Sequence, residues 1–258
     1  MSIQTEADRR KLSAEWARLG GGFTVEPGPL PVDIEDLLVR SVRQAPADHR
    51  LFFVAATWLG VHHQLVDMRR LGRMLADQDG MDSAVAGALL SVANEIAGAK
   101  RLETAMRHCR PLAEPRVLFE RTASHPVLGA FAREHALPLF VRWGLWHDEI
   151  SLKLGAVRPI RWILLHCPEL RLRALLGAGL ESEIAEALRE APRTVAELAR
   201  ISGASYAATH EACSRLIARG LVEASSTESH SGLALSEPFA AWFNAFPDVV
   251  RSVQRTAA

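Results

Sequence analysis

The sequence predicts a mostly α-helical protein, with a helical bundle domain over residues 1–176 and a smaller C-terminal domain over residues 177–258. The first 176 residues show helical periodicity interrupted by proline and glycine, without the alternating pattern that strands require. The remaining residues give the order helix, helix, turn, helix, small β-hairpin. The length of 258 residues also exceeds the usual single-domain size of about 100 to 150 residues, so two domains are expected.

The composition indicates a folded chain. Hydrophobic residues make up 48% of it and its formal net charge is zero, so it can bury a core and is not disordered. No apolar run approaches the roughly 20 residues of a membrane span, and the charged start MSIQTEADRRKLSAEW is unlike a signal peptide. A cytoplasmic protein without membrane contact is expected. Cys109, Cys167 and Cys213 lack CxxC spacing, which favours buried thiols over disulfides or a zinc site.

The neutral total conceals an uneven distribution of charge. Residues 1–180 contain 23 Lys and Arg against 20 Asp and Glu, whereas residues 181–258 contain 7 against 10. Electrostatic attraction to nucleic acid depends on basic surface. The C-terminal domain is therefore the acidic part of the chain.

The first helices of the bundle have clear signatures. EADRRKLSAEWARLGGG has apolar residues at helical spacing and ends at three glycines, and PVDIEDLLVRSVRQAP starts at the N-cap residue Asp33. The inward residues are predicted to be Leu12, Trp16 and Leu19 in the first helix, and Ile34, Leu37, Leu38 and Val42 in the second. HRLFFVAATWLGVHHQLVDMRRLGRMLADQDG predicts a buried helix and an amphipathic one that begins near Gly60. The small residues of MDSAVAGALLSVANEIAG predict a core helix.

Further along the bundle the patterns are shorter. Helices are predicted at 115–122, 126–135 and 138–143, since each segment starts with proline, which suits the first helical position. PIRWILLHC fits a buried helix or a strand, and we favour a helix. The six tryptophans fit core positions, with an apolar effector pocket as the alternative. They are Trp16, Trp58, Trp143, Trp146, Trp162 and Trp242.

The C-terminal domain carries specific helix and turn signals. ESEIAEALREAP predicts a helix with Ile184, Ala187 and Leu188 inward. In the next helix Thr194 is the N-cap and Glu197 its capping-box partner. Gly203 permits a turn and Ser205 caps a third helix that ends at Gly220. The inward residues of these two helices are predicted to be Leu198 and Ile201, then Thr209, Cys213, Leu216 and Ile217.

Two strands and a last helix complete the domain. LVEA and LALS read as strands on either side of the polar turn SSTESHSG. PFAAWFNAFPDVVRSVQ places aromatic residues on one helical face, suited to a partner helix or to the first domain. These aromatic residues are Phe239, Trp242, Phe243 and Phe246.

The stretch TVAELARISGASYAATHEACSRLIARGLVEA resembles the winged helix-turn-helix superfamily of bacterial transcriptional regulators, in the form with TxxELA before the turn and LxxxGLV after the third helix. The resemblance implies a helix at 195–202 packed across a recognition helix at 205–219, with a wing at 225–232. The lead-in LRALLGAGLESEIAEALREAP is similar to that of regulators with this module behind a larger helical domain. We recognise no family in residues 1–165. The implied function is transcriptional regulation through double-stranded DNA, with the first domain sensing an effector or forming oligomers.

In a helix-turn-helix, the N-terminal residues of the recognition helix meet base edges while surrounding groups hold phosphates. Ser205, Tyr206, Ala207 and His210 are therefore expected at the bases. Phosphate contacts are expected from Thr194, Arg215 and Arg219, with Arg200 as a further cation. The full set of candidate DNA-contacting residues is Thr194, Ser205, Tyr206, Ala207, His210, Ser214, Arg215, Arg219 and His230.

The wing departs from the superfamily pattern because it has no Lys or Arg, and His230 is its only substitute. Since DNA affinity depends on neutralised phosphates, an acidic module needs help from other surfaces. A homodimer on a palindromic site doubles the contacts. Basic clusters of the first domain are the other source, although each also fits an ordinary solvated face. They are Arg69, Arg70 and Arg73, and Lys100, Arg101, Arg107, Arg110 and Arg116.

Two other classes of function stay open. The C-terminal domain fits a protein-interaction module of antitoxin or scaffold type, since winged helices also bind proteins. A metal-dependent enzyme is the distant alternative, with His63 and Asp67 spaced to share a helix face and His147 as a third ligand. Structural histidines are favoured, and no phosphate loop, nucleophile elbow or paired-carboxylate motif is present. No catalysis and no cofactor are expected.

Overall fold

The computed structural model describes residues 3–28, 31–227 and 230–245. The protein is mostly α-helical, as predicted, and divides into two compact units, Met1–Cys167 and Pro168–Ala258. We call them the N-terminal unit and the C-terminal unit. The division precedes the boundary expected at residue 176.

The N-terminal unit is a set of helices with one small parallel sheet. Its helices are α1 (Ile3–Arg18), α2 (Ile34–Gln44), α3 (His49–His62), α4 (Met68–Ala76), α5 (Gly80–Ala97), α6 (Lys100–Met106), α7 (Glu120–Ala123), α8 (Pro126–Glu134), α9 (Pro138–Val141) and α10 (Ile160–His166). The sheet pairs β1 (Arg116–Val117) with β2 (Leu145–Trp146). The predicted helix at 115–122 is therefore wrong, because its first residues form β1 and α7 begins only at Glu120. The helix favoured for PIRWILLHC is confirmed as α10.

The core of this unit is built around α3 and α5, which approach closely because small residues face each other. A Cβ atom on Gly60 would lie 2.8 Å from the Ala93 carbonyl oxygen, and one on Gly87 would lie 2.4 Å from the Trp143 ring. Trp143 donates a hydrogen bond from Nε1 to Ser91 Oγ at 2.9 Å. The indole ring thus fills the space that the glycine leaves open.

Two more tryptophans lie fully buried in the same unit, which confirms their expected core positions. The rings of Trp16 and Trp58 meet edge to face, with centroids 5.6 Å apart. Each indole N–H is satisfied: Trp16 donates to Ser41 Oγ at 2.8 Å and Trp58 donates to the Leu19 carbonyl at 2.7 Å. These hydrogen bonds avoid the free-energy cost of burying an unpaired indole N–H group.

The starts of α2 and α4 are joined by a network of charged residues. Asp33 caps α2 as predicted, and Asp67 caps α4 by accepting hydrogen bonds from the first backbone N–H groups of that helix. The fully buried Glu35 accepts from the Asp67 backbone N–H and from Arg70 Nη1, both at 2.8 Å. Arg70 also pairs with Asp33. Each charge in the network therefore has a partner, as burial requires.

His147 lies in an aromatic cluster. Its ring centroid is 4.9 Å from that of Phe119, 5.1 Å from that of Phe140 and 5.8 Å from that of His49. The residue is only 6% exposed, and neither ring nitrogen has a hydrogen-bond partner among the described residues. Burial lowers the pKa of His147 to about 4, although the nearby Asp148 carboxylate acts in the opposite direction. The imidazole is therefore neutral at pH 7.

The C-terminal unit contains five helices and one antiparallel hairpin within the described residues. The elements are α11 (Arg171–Leu176), α12 (Leu180–Glu190), α13 (Val195–Ser202), α14 (Tyr206–Ala218), β3 (Val222–Thr227), β4 (His230–Leu235) and α15 (residues 237–245). The predicted helix starts are confirmed, since Thr194 and Ser205 cap α13 and α14. Gly203 adopts the left-handed conformation, with a φ of 63°, which glycine permits at no steric cost.

The inward faces of α13 and α14 are confirmed in part. Leu198 and Leu216 are buried, but Ile201 is 51% and Ile217 is 45% exposed. Ala212 is buried instead, since residues 209, 212, 213 and 216 form one buried stripe along α14. Ile217 follows Leu216 and lies about 100° further around the helix, which turns it away from this stripe. Ile201 lies in the last turn of α13, beyond its buried residue.

The hairpin and the last helix also differ from the sequence prediction. The strands pair as far as Thr227 opposite His230, so they include most of the segment predicted as a turn. In α15, Phe239 and Phe243 pack on Leu172 and Ala185 of the same unit, whereas Trp242 is half exposed. Phe246 and residues 228–229 lie outside the described residues.

All three cysteines are buried thiols, as expected. Burial raises the pKa of Cys109 to about 12, so its thiol stays protonated. Among the described residues, no helix combines the length and the apolar character needed to cross a membrane.

Candidate nucleic-acid interface

The outer face of α14 is fixed by the core beneath it. Helices α12, α13 and α14 bury a shared apolar cluster whose members include Leu188, Leu198, Leu216 and Val222. With one side of α14 held in this cluster, the opposite side must face outward. We call the exposed side chains of this outward side, together with the N-cap Ser205, the α14 face.

Most of the candidate DNA-contacting residues lie on this face. The candidate residues that are exposed are Ser205, Tyr206, Ala207, His210, Ser214, Arg215 and Arg219. Tyr206 is 59% exposed, and its ring stacks on that of His210 one helical turn later, with centroids 6.3 Å apart. These seven candidate residues are therefore all exposed along or next to the outward side of α14.

Thr194 and His230 are placed differently. Thr194 is half-buried, and its hydroxyl accepts a hydrogen bond from the Glu197 backbone N–H at 3.2 Å and donates to Glu197 Oε2 at 3.0 Å. The hydroxyl is thus committed to the capping box. The backbone of His230 pairs with Thr227 in the hairpin, and its side chain lies outside the described residues.

The two arginines of the α14 face are held by carboxylates. Glu181, at the start of α12, accepts hydrogen bonds from Arg215 Nε at 2.6 Å and from Arg219 Nη1 at 2.7 Å. Arg215 also donates to Glu211 Oε1 at 2.7 Å. The hydrogen bond to Glu181 raises the pKa of Arg215 above its ordinary value. The guanidinium charges are therefore neutralised locally rather than free.

Glu181 is the residue that the sequence prediction missed. The Glu211–Arg215 pair has the i, i+4 spacing typical of helical ion pairs and is readable from the sequence. Glu181 lies 34 residues before Arg215, and no local pattern connects them. Only the packing of α12 against α14 brings the carboxylate to both arginines.

The two basic clusters predicted in the N-terminal unit differ in how many of their side chains form ion pairs. In the first cluster, Arg70 is paired with Asp33 and Glu35, and the Arg69 guanidinium lies 3.7 Å from the Asp67 carboxylate. Arg73 makes no ion pair among the described residues. The second cluster likewise makes no ion pair within the described ranges, and comprises Lys100, Arg101, Arg107, Arg110 and Arg116. The second cluster therefore contains more unpaired positive charge than the first, in which only Arg73 lacks an ion pair among the described residues.

The residues suggested as metal ligands have structural roles. His63 Nδ1 lies 3.3 Å from the Gly60 carbonyl oxygen, Asp67 caps α4, and His147 lies in the aromatic cluster. Across the described ranges, no group of three or more His, Cys, Asp or Glu side chains is arranged to hold a metal ion.

The capping box at the start of α13 should contribute measurably to stability. Replacing Thr194 with alanine removes the acceptor for the Glu197 N–H, and we expect a loss of about 1 kcal/mol in the free energy of unfolding. Urea unfolding followed by circular dichroism measures this loss. Ser214→Ala, on the exposed side of α14, is the control and should change the free energy by much less. Equal losses in the two variants would contradict the role of the cap.

Comparisons with known proteins give no match: no family model, no curated protein and no solved structure corresponds to this chain.

Proposed function

We propose that the chain is a DNA-binding transcriptional regulator of the winged helix-turn-helix type, with the C-terminal unit as the DNA-contacting part. The observation that carries this proposal is the α14 face, which extends from Ser205 to Arg219 while the other side of the helix is locked in the core. A helix held in this way can enter the major groove of DNA without unfolding its own domain. The N-terminal unit then senses an effector or forms oligomers.

The two ends of α14 have different roles in this proposal. Tyr206 and His210 meet base edges or phosphates through their polar atoms, and the methyl group of Ala207 contacts a thymine methyl. Arg215 and Arg219 at the other end bind phosphates. The hairpin of β3 and β4 is the wing, and the exposed Arg200 at the end of α13 adds a phosphate contact.

Binding in this mode requires an exchange of partners. Arg215 and Arg219 have to leave Glu181 before they can bind phosphates, so part of the attraction is lost in breaking the existing ion pairs. We therefore propose modest affinity for a single C-terminal unit and a homodimer as the functional form, since two copies double the contacts on a palindromic site.

The test uses Arg215→Gln and a matched control, Arg189→Gln. Both arginines are exposed to a similar degree and each pairs with a glutamate, but Arg189 lies on α12 and outside the α14 face. The full-length protein is titrated onto random-sequence duplex DNA at several salt concentrations, with fluorescence anisotropy as the readout. Arg215→Gln should weaken binding several-fold and reduce the slope of log K against log salt by about one for each protomer bound.

Two results would overturn the proposal. One is the absence of salt-dependent DNA binding by the native protein at low ionic strength. The other is an equal effect of Arg189→Gln and Arg215→Gln, since this would indicate a general effect of net charge.

A second candidate function is a protein-interaction module. It is favoured by the neutralisation of both arginines by Glu181 and Glu211, which leaves Tyr206 and His210 as the main features of the α14 face. In this case the native protein co-purifies with one partner at a fixed ratio, Tyr206→Ala releases that partner, and DNA binding is absent.

A further inference from the structure

The N-terminal unit contains a cavity of about 630 Å³. Its wall is formed by α1, the segment 23–25, residues 46–48 with the start of α3, and Phe119 with α7. The side chains that determine its chemistry are Arg9, Phe23, His49, Arg50, Phe119 and Arg121. A cavity of this size holds a small organic molecule, since pockets for such ligands have volumes of about 300 to 1,000 Å³.

Positive charge exceeds negative charge in the wall. Arg9, Arg50 and Arg121 come from three separate elements, whereas Asp48 is the one carboxylate among the described lining residues. The Asp48 carboxylate already accepts a hydrogen bond from the Leu51 backbone N–H at 3.0 Å and so caps α3. The Asp48 carboxylate therefore interacts with the backbone at the start of α3.

The three arginines differ in how far they are already engaged. Arg9 pairs with Glu6, with 3.2 Å between the charged atoms, and Glu6 does not line the cavity. Arg50 donates to the Gly22 carbonyl, and its guanidinium carbon lies 5.7 Å from the centre of the Phe23 ring. Arg121 forms no ion pair within the described ranges. Its guanidinium is thus available to an anion.

The rest of the wall is suited to an apolar or aromatic group. The rings of Phe119 and His49 lie side by side, with centroids 4.7 Å apart. The Phe23 ring lies beneath the guanidinium group of Arg50. Burial lowers the pKa of His49, so its ring is neutral near pH 7 and does not add charge. Guanidinium groups next to aromatic rings can bind an acidic group and a ring of the same molecule.

We propose that this cavity binds a small organic anion, in which a carboxylate or phosphate group is attached to an aromatic or apolar body. The acidic group pairs with Arg121 and Arg9, and the ring packs against the exposed His49 ring and against Phe23. The site lies within the N-terminal unit and its occupation requires no DNA, so the inference stands or falls independently of the proposed function.

Isothermal titration of the full-length protein tests the site with phenyl phosphate and benzoate as probes, which distinguishes the two acidic groups. Benzyl alcohol lacks the charge and inorganic phosphate lacks the ring. Arg121→Gln is compared with Arg161→Gln, because Arg161 is an exposed arginine of α10 outside the cavity. Thermal unfolding of each variant without a probe checks that the fold is retained.

At least one of the two aromatic anions should bind saturably at millimolar concentration and more tightly than benzyl alcohol and inorganic phosphate. Arg121→Gln should weaken this binding about tenfold, as expected for the loss of one charge-assisted hydrogen bond, whereas Arg161→Gln should leave it unchanged. The proposal is overturned if neither anion binds, if inorganic phosphate or benzyl alcohol binds as tightly, or if the two variants behave alike.

Discussion

Acidification should destabilise the N-terminal unit through His147. Burial lowers the pKa of this histidine to about 4 in the folded protein, compared with about 6.5 in an unfolded chain. Between these values the unfolded state binds more protons, so the free energy of unfolding falls as the pH falls through this window. The two pKa values correspond to a loss of about 2.5 kcal/mol between about pH 7.5 and about pH 4.5. At pH 7 the histidine is neutral in the folded state and mostly neutral in the unfolded chain, so the loss is nearly absent.

The measurement is urea unfolding at a series of pH values for the native protein and for His147→Leu. The leucine variant cannot bind the proton, so its stability should depend less steeply on pH between about 6.5 and about 4. His135→Leu is the control, because His135 is exposed at the end of α8. Parallel pH profiles for the native protein and His147→Leu would show that this residue does not cause the acid sensitivity.

Neutralising Glu181 should strengthen DNA binding by about tenfold at low salt, because each phosphate contact depends on a guanidinium that is free to form it. Glu181→Gln removes the carboxylate that holds Arg215 and Arg219 and keeps the size of the side chain. The full-length variant is compared with the native protein on the random-sequence duplex described above.

Two matched variants control for the gain of one positive charge. Glu186→Gln changes the net charge by the same amount on the same helix, but Glu186 pairs with Arg189, and DNA affinity should hardly change. Glu211→Gln removes one of the two carboxylates that bind Arg215 and leaves Arg219 paired with Glu181, so it should have an intermediate effect. Equal gains for Glu181→Gln and Glu186→Gln would indicate a general response to net charge and would remove the specific role of Glu181.

Local signals in the sequence predicted the local structure well. Asp33, Thr194 and Ser205 cap the helices for which they were proposed, because capping depends only on a side-chain oxygen and the backbone N–H groups of the next turn. The glycine-rich and alanine-rich α5 occupies the core for a similarly local reason, since small side chains allow close approach. Periodicity then placed most of the buried residues.

The failures of prediction concern contacts between distant segments. The two-residue strand β1 has too few residues to show an alternating pattern, and its partner β2 follows almost 30 residues later. The sequence pattern predicts Ile217 on the buried side of α14, but the contacts with α12 and α13 determine which side is buried, and they bury Ala212 instead. Glu181 acts on the α14 face only through tertiary packing. The sequence therefore predicts that the candidate residues of α14 are exposed, but not that Glu181 neutralises Arg215 and Arg219.

The network between α2 and α4 has a consequence for how the N-terminal unit opens. Asp33 caps one helix and is bound by Arg70 of the other, while Glu35 of the first helix holds the backbone of Asp67, the cap of the second. Fraying of either helix start exposes the buried Glu35 carboxylate, which lies on α2 and binds groups at the start of α4. We therefore expect the two helix starts, more than 30 residues apart in the chain, to open together in one event rather than in two.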